Sequence, residues 1–347
     1  MRILQTICAV LAALAAPVAR ADDVADFYRG KQIQLIVGYG PGGGYDLNAR
    51  TLARHLGNFI PGNPTVVVQN MPGAGSLRAA NHVQQVAARD GTVIAALDRA
   101  APLFAVLGGN PVIRFSASEM NWLGTLSSYA SDAFILWVRK DAAAKSIEDV
   151  LRPGGPEIKV GGAAAGSTDD STVVLLRDVL GMRLHLISGY SDGNTISLAL
   201  ERGEVEGRTA GVSALATTRP DWLKPDSLVR PMLQMGRATR LPAYADVPLA
   251  REFARDARAR SIIEAAELPY QLARPYLMTP GVPPERAAAL RKAFMDATNA
   301  PALKEEAART GMELSPVDGV EVGRLVAQMG KAPPEALDYL RKLLVAP

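Results

Sequence analysis

Three arrangements in the chain could do chemistry. Gly38, Gly40 and Gly43 in IQLIVGYGPGGGYD (33–46) spell G-x-G-x-x-G directly after an apolar run. In a dinucleotide-binding turn this spacing lets the backbone approach a pyrophosphate lying on a helix N-terminus. Gly189-Tyr190-Ser191-Asp192-Gly193 fits G-x-S-x-G, the turn that presents a serine nucleophile in α/β hydrolases. His55, His82 and His185 offer bases or metal ligands.

None of the three completes a catalytic set. A dinucleotide site needs an acidic residue at the end of the second strand for the ribose hydroxyls, and PTVVVQN ends in Gln69 and Asn70. No Gly-Lys-Ser/Thr follows the glycines, which excludes a phosphate-loop NTPase. The hydrolase order places the histidine after the serine, yet all three histidines precede Ser191. There is no H-E-x-x-H, and the only cysteine, Cys8, lies in the N-terminal leader. No metal site, cofactor or thiolate chemistry is expected.

That leader, residues 1–21, has Arg2, an apolar stretch from Ile7 to Ala16 and the triplet Ala19-Arg20-Ala21. It reads as a secretory signal peptide cleaved after Ala21, since the apolar core is shorter than the roughly 20 residues that span a bilayer. Cleavage leaves 36 basic against 35 acidic residues, so there is no electrostatic case for nucleic acid. The expected location is the periplasm, away from nicotinamide pools.

The elements that position these loops alternate. IQLIVGY, PTVVVQN and TVIAALD read as strands separated by helices over Leu47–Phe59 and Ala74–Ala88, a βαβαβ series that implies parallel pairing. After a looser region from Asn110 to Trp122, a second series runs through FILWVRKD, IKVGGA, LHLISG, VEGRTAG and VRPMLQMG, with helices over Ser171–Leu180 and Thr195–Arg202. The last third reads as helices: Leu249–Ala266, Glu285–Ala297, Pro301–Gly311 and Gly319–Met329. Helices alone cannot close a sheet lobe, so this tail is expected to return and pack on the first lobe.

Three loops share one design: a strand, small residues, then a polar residue opening a helix. They are GYGPGGGYD (38–46), GGAAAGSTDD (161–170) and SGYSDGN (188–194). Uncovered backbone N–H groups and a positive helix end suit a carboxylate. Taken singly, each is also an ordinary cap, with Asp46, Ser167 or Thr168, and Asn194 as candidate N-cap residues. Taken together, they point to a ligand cleft between two lobes.

PGGGYD with Ala49-Arg50, VVVQNMPGAGS (66–76), RDGTVIAAL (89–97), KSIEDVL (145–151), the GSTDD loop, GEVEG (203–207), LPAYADVPL (241–249) and TPGVPPERAAALRKAF (279–294) occur in this order. The series resembles the Bug or TctC-like substrate-binding proteins of tripartite tricarboxylate transporters, over essentially the whole mature chain. The resemblance implies an α/β, two-lobed periplasmic solute-binding (Venus flytrap, type II) fold, each lobe a mixed sheet flanked by helices. Residues 22–128 plus 240–347 would form lobe 1, and 129–239 lobe 2. It further implies a monomer that captures a small carboxylate by lobe closure and delivers it to membrane permease subunits, without catalysis.

Carried over residue by residue, the ligand site would comprise Tyr39, Gly40, Pro41, Gly42, Gly43 and Asp46 on one side. Gly166, Ser167 and Thr168 would face them, with Tyr190 and Ser191 near the third loop. Two departures bear on the ligand. Tyr39-Gly40-Pro41 stands where the family has a Phe-Pro-Pro run, and Asp169-Asp170 where a histidine is frequent. The aspartates complement the helix dipole or, facing the cleft, favour a ligand carrying an amine. Arg208 stands in an otherwise small, apolar strand and needs a partner. A ligand carboxylate is one candidate, and pairing with Asp192 or Glu206 the other. Amino-acid or aromatic-acid binding, a sensory role of the same fold, and an extracytoplasmic serine hydrolase are the alternative functions.

Overall fold

The computed structural model describes residues 18–129 and 131–344. The leader as far as Pro17 lies outside the described residues. Helix α1 (Val18–Tyr28) leads into the first sheet.

That sheet has six strands: β1 (Gln32–Val37), β2 (Thr65–Asn70), β3 (Val93–Ala96), β4 (Asn121–Thr125), β10 (Pro275–Met278) and β11 (Val317–Asp318). Their order is β11-β4-β10-β3-β1-β2. β1 pairs in parallel with both β2 and β3, with Ile36 opposite Gln69 on one side and Ala95 on the other. This matches the βαβαβ pattern, with α2 (Gly44–Leu56) and α3 (Leu77–Gln85) as crossovers. β10 then enters antiparallel between β3 and β4.

The second sheet contains β5 (Phe134–Arg139), β6 (Ile158–Gly161), β7 (Leu184–Ile187), β8 (Gly207–Gly211) and β9 (Val229–Met235), ordered β7-β6-β8-β5-β9. β6 is parallel to β7 and β8, while β5 is antiparallel to β8 and β9. Short helices α4 (Ala101–Leu107) and α5 (Ile147–Leu151) follow β3 and β5, the second capped by Ser146, which accepts from the Asp149 N–H. Both sheets are therefore mixed and flanked by helices. The chain passes between them after β4 and again after β9. Arg237 ties the two crossings together by donating to the carbonyl oxygens of Tyr129 (2.8 Å) and Asp132 (2.7 Å).

The tail returns, but it carries strands as well as helices. PYLM of β10 is fully buried, and a four-residue apolar run has no periodicity that separates strand from helix. β4 begins at the end of the stretch expected to be loose and is, with the helix Pro334–Leu344, an element the sequence reading lacks. The long helix expected over Leu249–Ala266 divides into a 3₁₀ turn (Ala250–Phe253) and a helix over Ala257–Glu267 that begins where Asp256 accepts from the Ala259 N–H. This second helix packs against the helix at Thr168–Leu180 as well as Pro334–Leu344, so the tail touches the second lobe too. The helix expected over Ala74–Ala88 begins later, because Ala74 and Ser76 adopt positive φ in the preceding turn.

Candidate functional site

The three small-residue loops meet where the two lobes touch. Each sits at the C-terminal end of a parallel strand (β1, β6 and β7), the end at which open α/β sheets collect ligands. Close approach explains two of the glycines. A Cβ on Gly40 would lie 2.7 Å from Asp192 Oδ2, and one on Gly75 would lie 2.3 Å from the Gly166 carbonyl carbon. No side chain fits at either crossing point.

The loops are capped differently from expectation. α2 is capped by Gly43, and Asp46 lies one turn in. The Asp46 carboxylate accepts from the Gly42 N–H (2.9 Å), Arg50 Nε (2.9 Å) and Asn70 Nδ2 (2.8 Å). These bonds hold its pKa below the usual carboxylate range despite an opposing burial effect. Asn70, at the position where a dinucleotide fold would need an acid, also donates to the Tyr39 carbonyl (2.9 Å) and locks the glycine loop.

Ser167 caps α6 (Thr168–Leu180) by accepting from the Asp170 N–H. Asp192 rather than Asn194 caps α7 (Gly193–Glu201), accepting from the Asn194 (2.7 Å) and Thr195 (3.0 Å) amides.

A cavity lies between these helix starts. Gly43, Gly44 and Tyr45 line it from one side, and Asp192, Gly193 and Ala210 from the other. Tyr39 and Tyr45 stack there with ring centroids 4.9 Å apart.

Arg99, Arg208 and Arg274 complete the lining; all three are buried, and none has a carboxylate within ion-pair reach among the described residues. Arg99 lies over the rings of Tyr129, Phe134 and Tyr270 and donates to the Tyr129 hydroxyl (2.6 Å). Arg274 donates through Nη2 to Ser213 Oγ (3.2 Å), whereas its Nη1 is buried with no partner.

Arg208 pairs with neither Asp192 nor Glu206. Its Nη1 donates to the Gly193 carbonyl and to Ser197 Oγ, and its Nε to the Thr209 carbonyl. Burial pulls its pKa down, and Asp169 pushes it back up at longer range.

The two aspartates of the GSTDD loop separate. Asp170 is buried among Ser167 and Ser188, both of which donate to it. Asp169 lines the cavity, where burial pushes its pKa up to about 6 against the opposing field of Arg208. Its Oδ1 accepts from Thr209 Oγ1 (3.1 Å), and its Oδ2 has no partner among the described residues.

Of the residues expected to bind ligand, Tyr39, Gly43 and Arg208 line the cavity. Gly40, Gly166, Ser167 and Thr168 sit at the contact between lobes instead, Gly42 belongs to the turn around Asp46, and Pro41 is exposed. Tyr190 packs between two apolar clusters outside the cavity. Ser191 is exposed and donates to Asp192 Oδ2 (2.7 Å), with no histidine among its partners.

Sequence reasoning misses Arg99, Arg274, Asp98 and Phe134. Asp98-Arg99 directly follows TVIAAL, the C-terminal end of a parallel strand, and that position is the available signal.

No protein-family model matches the chain. By sequence it is similar to Protein BugT of Bordetella pertussis, 40% identical over 108 residues, which is 31% of each chain. It is also similar to the UPF0065 protein in the gbd 5' region of Cupriavidus necator, 30% identical over 145 residues and 42% of each chain. The alignments thus span less than half the length of these relatives.

By structure it is similar to the periplasmic binding protein BugD, with a TM-score of 0.70 at 19% identity over 92% of this chain and 99% of that one. Rpa4515 of Rhodopseudomonas palustris with adipate gives 0.68 at 19% identity over 91% of this chain and 97% of that one. MatC of the same organism with bound malate gives 0.66 at 19% identity over 90% and 99%. The fold is that of periplasmic binding proteins, and the resemblance to Bug proteins read from the motifs recurs in these relatives. No helix among the described residues is long and apolar enough to cross a membrane.

Proposed function

We propose that this chain is a periplasmic solute-binding protein that captures a small organic carboxylate between its lobes and delivers it to a tripartite tricarboxylate-type permease. The observation that carries this reading is the cavity lined from loops of both sheets, where three buried arginines lack a carboxylate partner. Uncompensated guanidinium groups are costly to bury, and a carboxylate is their geometric complement. The adipate and malate held by the two R. palustris proteins of similar fold support the same ligand class.

Binding closes residues 22–128 plus 240–347 onto 129–239, with export following cleavage after Ala21. No chemistry is assigned to the site; Ser191 donates to the Asp192 carboxylate that caps α7 and has no histidine among its partners.

A thermal-shift screen of mono-, di- and tricarboxylates tests the proposal, since a ligand selective for the native state raises Tm by mass action. A shift with at least one acid is expected. Shifts only with sugars or cations would overturn it. Ester turnover lost in Ser191→Ala would replace it with the hydrolase reading.

A further inference from the structure

The donors at the junction of the two lobes are already engaged by the protein's own carboxylate. Asp98, 1% exposed, accepts from Tyr39 Oη (2.6 Å), Thr168 Oγ1 (2.6 Å) and the Ala100 N–H (2.7 Å). The Gly166–Ser167 backbone beside it is covered by Gly75. Neither hydroxyl is left to donate to a ligand at that corner.

Polar atoms without a partner remain on both sides of the cavity. On the cationic side, Arg99 is engaged by three rings and the Tyr45 and Tyr129 hydroxyls, and Arg208 donates to the Gly193 and Thr209 carbonyls and to Ser197 Oγ. Arg274 Nη1 is buried without a partner, and Nη2 of Arg99 and of Arg208 also make no hydrogen bond among the described residues. On the anionic side, Asp169 Oδ2 is an acceptor with no partner among the described residues. Asp192 adds a second carboxylate to the same wall, its Oδ1 capping α7 and its Oδ2 accepting from Ser191 Oγ. A ligand that brings an acceptor group to Arg274 and a donor group to Asp169 satisfies one atom on each side.

Building on the carboxylate reading above, we infer that the ligand carries a carboxylate anchored by Arg274 and a cationic amine directed at Asp169, in place of a second carboxylate there. Asp98 acts as an internal carboxylate at the junction of the loops, and a second ligand carboxylate would face Asp169 and Asp192. Like charges brought together in a partly desolvated site repel strongly, whereas an ammonium between those oxygens forms charge-assisted hydrogen bonds. Burial raises the pKa of Asp169, and the nearby carboxylates of Asp98 and Asp170 add to the rise.

Calorimetric titration of the full mature chain at neutral pH with matched pairs tests the inference. The probes are β-alanine against succinate, 4-aminobutyrate against glutarate, and 5-aminovalerate against adipate, each pair exchanging one carboxyl for an amine. In at least one pair the amino acid is expected to bind about tenfold or more tightly, the scale of a lost buried charge pair. Asp169→Asn, nearly isosteric and checked for folding by circular dichroism, is expected to abolish that preference.

Tighter binding of the dicarboxylates would overturn this inference and leave the carboxylate reading standing. Binding of neither class, with sugars or cations bound instead, would overturn both. A folded Asp169→Asn protein that keeps the preference would remove Asp169 from the site. Should that variant not fold, the matched pairs on the unsubstituted protein still decide the ligand class.

Discussion

Thr168 Oγ1 donates to Asp98 Oδ1 at 2.6 Å, joining the start of a helix in the second lobe to the end of a strand in the first. Asp98 is anchored within its own lobe by the Tyr39 hydroxyl and the Ala100 amide, so this bond crosses between lobes and exists only where they meet. A hydrogen bond to a charged group contributes about 1.5–3 kcal/mol. Removing it shifts the balance between separated and joined lobes by that amount, and ligand affinity follows the population of the joined form. Thr168→Val is therefore expected to weaken binding by about tenfold or more. Small-angle scattering should show a larger radius of gyration without ligand. Unchanged affinity and unchanged scattering would separate this contact from closure.

The contact at Gly75 leads to a second expectation. Gly75 has φ +56° and faces the Gly166–Ser167 backbone, where a Cβ would come within 2.3 Å. Gly75→Ala strains its own turn modestly but blocks the lobes from meeting. We expect a folded protein by circular dichroism whose Tm no longer responds to the ligand identified in the screen. A retained ligand-dependent shift would mean that the lobes bind without this contact.

Asp46 illustrates how much of the site is legible in the sequence. The small-residue loops, their place after parallel strands and the two-lobed plan follow from periodicity and from motif order. Which way each polar side chain turns depends on partners far away in the chain. Asp46 is a ligand contact by the resemblance to the Bug family, yet Asn70 and Arg50 claim its oxygens. Asp169 and Asp170 are adjacent, and the helical turn sends one to the cavity and the other to Ser188. Arg274 escapes sequence reasoning because the four-residue strand that follows it, β10, carries no periodic signal.

The consequence for Asp46 is structural. Asp46→Ala leaves the Gly42 amide, Arg50 and Asn70 without their common acceptor, and we expect a loss of about 2–3 kcal/mol in urea unfolding at neutral pH. Because its folded pKa lies below the unfolded value, its contribution is present above the unfolded pKa and is lost as pH falls through the folded one. The wild-type and Asp46→Ala unfolding free energies should therefore converge in acid. A gap that stayed constant with pH would assign the loss to packing instead of the carboxylate.

Asp169 has the opposite sign. Its pKa rises from 3.8 to about 6 in the folded chain, so between those values the native state holds a proton that the unfolded state has released. Linkage then makes stability fall as pH rises through this window. The penalty is fully developed above about pH 6. Asp169→Asn removes the titrating group, so the variant should be the more stable protein at neutral pH, and its advantage should shrink as pH drops towards about 4. Asp170, Glu267 and Glu313 are also raised by burial but are common to both proteins, so the difference between the two urea unfolding curves isolates Asp169. A ligand ammonium at Asp169 would stabilise the charged form and lower its pKa, which makes the same difference smaller when a saturating amino acid is present. If that ligand left the pH dependence unchanged, Asp169 would not be one of its contacts.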